Sequence, residues 1–223
     1  MRLSALLAFV AVLTTGTLAT APVYAADAAS CHFAPVAESA AALQPTQSVG
    51  VLYSEGTVAT LQYLAQYHAM AQNGAKDAGL DTRIRDALVK SSDPKLAIDG
   101  LLGSLDKQFA SVTVYESLDD LVQGHPDVVV MLDTFNRLVT QRNNQVEARF
   151  VATFYDANLQ YIGKAEGAVE KQMPAIWVHD KKAPEIAAQI DQQRVLQLNA
   201  LKKFDDSLKT LMTATDKAQV ASN

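Results

Sequence analysis

The chain has 223 residues, 49% of them hydrophobic, with a formal net charge of −5, ten glycines, seven prolines and a single cysteine. Those proportions exclude a low-complexity chain and describe a globular one. The acidic balance makes nucleic acid and anionic membrane surfaces poor partners, and one cysteine excludes an intramolecular disulfide, so the fold must stand on its core.

In chain order, Arg2 precedes an apolar stretch from Leu6 to Ala21, and Val23-Tyr24-Ala25 follows it. A charged end, a greasy run and a small-residue cleavage site make up a secretory signal peptide. The run is broken by Thr14, Thr15, Gly16 and Thr17 and is shorter than the ~20 residues a membrane-spanning helix needs. No later stretch is as apolar, which predicts a soluble or peripheral mature protein. Two processing routes compete. Ordinary cleavage after Ala25 frees a chain that starts at Ala26 with a net charge of about −6, since Arg2 is the only charge removed. The rival reads Ala28-Ala29-Ser30-Cys31 as a degenerate lipobox with Cys31 as the lipid attachment site. Against it, the leading Leu is missing, and Tyr24 and Asp27 separate the cysteine from the apolar run. The first route predicts a periplasmic protein and the second an outer-membrane-anchored lipoprotein, so contact with membrane depends on acylation of Cys31.

Residues 26–47 are Ala-rich, carry Pro35 and Pro45, and show no sustained period, which reads as a flexible leader. Val49-Gly50-Val51-Leu52-Tyr53 is a buried strand. Thr57 to Gln72 holds Val58, Leu61, Tyr63, Leu64, Tyr67, His68 and Met70 without proline or internal glycine, which predicts a helix covered on most sides and stopped by Asn73-Gly74. A second helical stretch spans about Thr82–Val89. In the third, Asp93 caps, Pro94 opens the helix, and Ile98, Leu101, Leu102, Leu105 and Phe109 recur at helical spacing on one face. Ser111 to Tyr115 is a short β-branched strand, and Leu118 to Val122 a helical turn ended by Gly124.

Val128 to Leu132 is apolar without a break, which predicts a strand covered on both faces and central in its sheet. Val146 to Tyr155 alternates with strand period. Asp156-Ala157-Asn158 is turn chemistry, and the chain returns from Tyr161 as the second arm of a hairpin. Met173 to Val178 is irregular or a last short strand. From Pro184 to about Met212 a long helix carries Ile186, Ile190, Val195, Leu198, Leu201, Phe204, Leu208 and Leu211, and residues 213–223 read as a disordered tail. The order is strand, helices, strand, short helix, three meandering strands, helix. It predicts one α+β domain over residues 48–212, a mixed sheet of about five strands with helices packed on it.

The opening strand Val49-Gly50-Val51-Leu52, the helix ending Leu105-Asp106-Lys107-Gln108-Phe109, the strand Ser111–Tyr115, the strand opening Asp127-Val128-Val129-Val130 and the hairpin turn at Phe154-Tyr155-Asp156 together resemble a group of bacterial envelope proteins. The group comprises the TolB amino-terminal domain, the CsgG-like secretion lipoproteins, the lipoprotein activators of penicillin-binding proteins and small YajG-like lipoproteins. The helix at Thr57–Gln72 is an addition to that pattern. The resemblance implies a non-enzymatic adaptor that binds an envelope protein partner through strand edges and a helix face.

Catalytic and cofactor signatures are few. His32, His68, His125 and His179 lack metal-ligand spacing, no Cys-x-x-Cys, G-x-S-x-G or phosphate-cradling glycine motif occurs, and no metal or cofactor is expected. The remaining enzymatic reading is a small hydrolase in which Asp133, at the end of its strand, meets His179 as an acid/base pair. Its counterpart reading leaves Asp133 facing solvent. Trp177, the only tryptophan, either packs against the long helix or anchors a partner, tryptophan being enriched in binding hot spots. A third class is a periplasmic carrier of an apolar ligand, with the Tyr- and Met-bearing helix lining a cleft against the sheet. An adaptor that docks through the edge of the Val146–Ala168 hairpin is the leading expectation. The processing step is checked by intact mass of the protein from membrane and soluble fractions: the expected product starts at Ala26 without added lipid, whereas a diacylated or triacylated Cys31 at the new N-terminus would establish the lipoprotein.

Overall fold

A computed structural model describes residues 42–74, 80–140, 143–176 and 180–221, so the signal segment, Cys31, Trp177 and His179 lie outside the described residues. Strand β1 (Ser48–Tyr53) is followed by helices α1 (Glu55–Gly74), α2 (Thr82–Ser91) and α3 (Lys95–Asp106), strand β2 (Ser111–Val114) and helix α4 (Leu118–Gly124). Strands β3 (Val128–Arg137), β4 (Gln145–Asp156) and β5 (Tyr161–Gln172) then lead to helix α5 (Ala183–Ala221), which continues through the segment read as a polar tail. The five strands form one mixed sheet in the order β2-β1-β3-β4-β5, giving the α+β domain that the patterning predicts. β1 runs parallel to β2 and β3, while β3, β4 and β5 form an antiparallel meander. The uninterrupted apolar strand β3 is the central one.

Alternation decides which face is buried. Val49, Val51, Val130, Leu132, Phe150, Ala152, Phe154 and Ala165 point to one side, where α3 contributes Leu101 and Leu105 and α5 contributes Ala200, Phe204 and Leu208. Leu43, in the segment read as leader, is buried in the same core, so packing begins ahead of Ser48. A second cluster joins α2 to the first half of α5 through Ile84, Ala87, Ile186 and Ile190, together with Val146 and Met173. Along α5 a buried polar line, Gln189, Gln193 and Gln197, recurs every four residues and therefore shares one helix face. Gln193 Oε1 accepts from the Val139 amide at 2.8 Å, Gln197 Nε2 donates to the Ser91 carbonyl at 3.1 Å, and Gln189 Nε2 donates to the Pro174 carbonyl. Buried amides cost little when satisfied in this way.

The opposite face is treated differently. Leu121 of α4 approaches Gly50 on β1, but among the described residues no helix packs over the outer side of β4 and β5. Arg149 stands exposed there, and Glu147, Val151, Thr153 and Tyr155 are half-buried. Antiparallel sheets tolerate one solvated face.

Helix α1 departs from the expectation of a helix covered on most sides. Its buried residues are Thr57, Leu64 and Ala71, seven apart on a single line, while Val58 and Met70 are 44% and 57% exposed. The cause is position: α1 lies along the flank of β3 and meets α2 on one side, and among the described residues no layer of helices encloses it.

At the other end of the sheet, α5 crosses β5 so closely that only glycine fits. A Cβ on Gly167 would fall inside van der Waals contact of the Ala200 carbonyl and the Phe204 amide, both backbone atoms that cannot swing away. Gly167→Ala is therefore expected to destabilise the domain by about 2–3 kcal/mol, the cost of overpacking a filled core, measured as a lowered urea midpoint with an unchanged m-value.

Candidate functional site

The site forms where two strands differ in length. β1 ends at Tyr53, whose partner on β3 is Leu132, but β3 continues to Arg137 and would present an unpaired edge from there on. α1 covers it. Ser54 caps the helix, its Oγ accepting from the Thr57 amide at 3.0 Å. The Thr57 hydroxyl, fully buried, donates to the Leu132 carbonyl at 2.8 Å and accepts from the Thr134 amide at 2.9 Å. Thr60 donates to the Thr134 carbonyl at 2.8 Å, and Tyr63 makes a hydrogen bond to the Leu138 backbone. Three hydroxyls, each three residues after the last, thus take the place of a missing strand.

Asp133 belongs to this joint. One carboxylate oxygen accepts from Ser54 Oγ at 2.7 Å, and the other lies 3.7 Å from an Arg149 guanidinium nitrogen. That pair is about half exposed and holds little energy; the short bond to the helix cap is the stronger tie. A Cβ at Gly56 would meet Asp133 Oδ1 at 2.7 Å, so glycine in the first turn lets the carboxylate reach the cap. Asp133 positions the start of α1 and favours it electrostatically, a negative charge at a helix N-terminus being stabilising.

Two grooves flank the helix. The larger, about 690 Å³, lies between α1 and the far part of β3. Its α1 wall carries Ala59, Tyr63 and Tyr67, with the tyrosine rings 4.8 Å apart and tilted by 54°. The β3 wall carries Phe135 and Arg137, the guanidinium carbon 5.4 Å from the Phe135 ring centroid, within cation–π range. Burial pushes the Tyr63 hydroxyl above its ordinary pKa, the Leu138 hydrogen bond acting in the opposite direction and the Tyr67 neighbour adding to the rise. The smaller groove, about 420 Å³, is almost wholly apolar and lies between α1 residues Leu61 and Ala65 and the start of α3 at Pro94 and Ile98.

Other sequence candidates fall elsewhere. His68 lies on α1, and its ring nitrogens are 3.0 Å from the Val89 carbonyl and 2.7 Å from Gln72 Nε2, tying α1 to α2. Among the described residues no His, Cys, Asp and Glu cluster could hold a metal ion, and no helix is long and apolar enough to cross a membrane. The hairpin edge is partly occupied: the Glu166 amide donates to Ser207 Oγ at 3.0 Å, and the Ala168 carbonyl accepts from Lys203 Nζ at 2.9 Å, both from α5. An incoming strand would meet α5 side chains at the middle of that edge. Sequence reasoning singled out Tyr63 and Tyr67 but missed Phe135 and Arg137. The signal was the period-2 continuation Asp133-Thr134-Phe135-Asn136-Arg137, which carries the strand beyond its apolar run.

No protein-family profile and no curated protein matches the chain. Among solved structures it is similar to a PelC dodecamer from Paraburkholderia phytofirmans at 14% identity and a TM-score of 0.33, over 73% of this chain and 92% of that one. A point variant of the same PelC dodecamer matches at 14% identity and a TM-score of 0.32, over 74% and 95%. At TM-scores this low the likeness bears on neither fold nor function.

The joint itself can be tested. Thr57→Val keeps the shape and removes the hydroxyl, leaving the buried Thr134 amide without its acceptor. The expected loss is about 2 kcal/mol of unfolding free energy, the cost of an orphaned buried donor, while Thr57→Ser retains most of the stability in the same denaturation experiment.

Proposed function

We propose that this chain is a non-enzymatic, secreted or periplasmic protein that binds a partner polypeptide in cell-envelope assembly or maintenance, and that α1 with its adjoining sheet face is the binding surface. One observation carries this reading. A 20-residue helix whose buried line is Thr57, Leu64 and Ala71 leaves Val58 and Met70 in solvent and Leu61, Tyr63 and Tyr67 half-buried. Its two flanks open into grooves of about 690 and 420 Å³. Apolar and aromatic surface gathered on one element is what a partner covers. The signal-peptide pattern and the resemblance to envelope adaptors supply the compartment.

The larger groove also supports a second reading, a carrier of an apolar ligand, because Tyr63, Tyr67 and Phe135 line it. The two separate by experiment. A photo-cross-linking amino acid at Val58 or Met70, introduced in the native type of host, is expected to trap a discrete polypeptide adduct. The same group at Leu159, exposed on the β4–β5 turn, is expected not to. Absence of any adduct at both α1 positions, with the protein folded and exported, would overturn the partner-binding reading.

A further inference from the structure

We propose that the groove between α1 and β3 recognises a partner segment in which an acidic side chain neighbours an aromatic one, the carboxylate on Arg137 and the ring between the tyrosine wall and Phe135. This rests on the partner-binding reading above and names what the partner presents.

Of the residues lining the groove, Arg137 is the charged one; the others are aromatic, aliphatic, glycine or neutral polar. Its described contacts are a cation–π stack on Phe135 and a 3.3 Å hydrogen bond from Nη1 to the Gln145 side chain. Among the described residues no carboxylate lies within ion-pair distance of it, although Glu147 is its register partner on β4. A guanidinium carries five N–H donors in a planar fork suited to a carboxylate. Stacking on Phe135 fixes the plane of that fork, so less side-chain freedom is lost on binding.

Shape supplies the second half. The tyrosine pair on α1 faces the Phe135–Arg137 wall across an open groove, and aromatic rings favour tilted or edge-on contacts with an inserted ring. A polypeptide fits better than a small free acid because exposed apolar groups lie beyond the groove's lining, and a small molecule would leave them wet. Met70, three residues after Tyr67, stands exposed on the same side of α1, and Met131, on the same face of β3 as Phe135 and Arg137, is 37% exposed.

The test uses the full mature chain and a capped probe peptide, acetyl-Gly-Ser-Asp-Trp-Ser-Gly-amide, titrated by NMR beside a twin with Asn for Asp and a twin with Ala for Trp. Saturable shifts of the Tyr63, Tyr67 and Phe135 ring signals are expected, with each twin about ten-fold weaker, as fits a charge-assisted hydrogen bond or a buried ring. Arg137→Gln is expected to remove the difference between the Asp and Asn peptides, and Arg137→Lys to restore part of it; the position is half-exposed, and folding is checked by circular dichroism. Equal binding of the Asp and Asn peptides, or shifts confined to another face, would overturn the inference. If indole-3-propionate binds as tightly as the peptide, a small-acid site replaces the polypeptide one and the inference fails. In the unsubstituted protein, cross-linking at Val58 and Met70 with no peptide binding at the groove would sink this inference while leaving the partner-binding reading intact; absence of both cross-linking and peptide binding would remove the two together.

Discussion

A strand cannot end with its backbone bare in a partly buried place, and β3 is longer than β1 on the side where they pair. The rest of the domain's upper half depends on how that mismatch is resolved. Thr57, Thr60 and Tyr63 carry oxygen at three-residue spacing, and the rise of an α-helix over three residues, about 4.5 Å, lies between one and two strand residues. The hydroxyls of Thr57 and Thr60 can therefore reach successive groups of β3 without regular pairing, and the longer Tyr63 reaches the Leu138 backbone just past its end. This places α1 beside the sheet instead of on top of it, and a helix in that position has flanks on both sides open to solvent. The grooves are a geometric result of satisfying an edge.

The other end of the sheet resolves the same problem with a different helix. α5 lies across the buried face and leans far enough over β5 for Ser207 and Lys203 to engage the outward groups of Glu166 and Ala168. The far edge of β3 is thereby covered and the edge of β5 partly occupied by helix side chains. The outer face of β3, β4 and β5 keeps mixed charge, with the Asp133–Arg149 and Lys164–Glu166 pairs on it, a composition that keeps exposed sheet soluble.

Much of the architecture was legible because it is local. The unbroken Val128–Leu132 run announced a central strand, the spacing of Ile98, Leu101 and Leu105 announced a one-sided helix, and alternation through Val146–Tyr155 with turn residues after it announced the hairpin. The role of α1 was not legible in the same way. Its content of Tyr, Leu and Met is as compatible with deep burial as with an exposed flank, and the difference is set by the unequal lengths of two strands far apart in sequence. Asp133 shows the same limit. Its place at the end of an apolar run is equally suited to catalysis and to solvent, and only the fold brings Ser54 to it across 79 residues.

The glutamine line on α5 has a consequence for how this long helix keeps its place. Gln189, Gln193 and Gln197 are one turn apart, and a side-chain amide can offer either its oxygen or its nitrogen. A slip of the helix by one turn would thus let two of the three glutamines take over a neighbour's partner, and hydrogen bonding alone would resist it only weakly. The packed core does resist it. Ala200 and Phe204 are both fully buried, and a slip by one turn would push Phe204 or Leu196 into the space shaped for Ala200, an overpacking that a filled core opposes. The axial position of α5 is therefore set by unequal side chains along its buried face, while the polar line chiefly fixes its rotation.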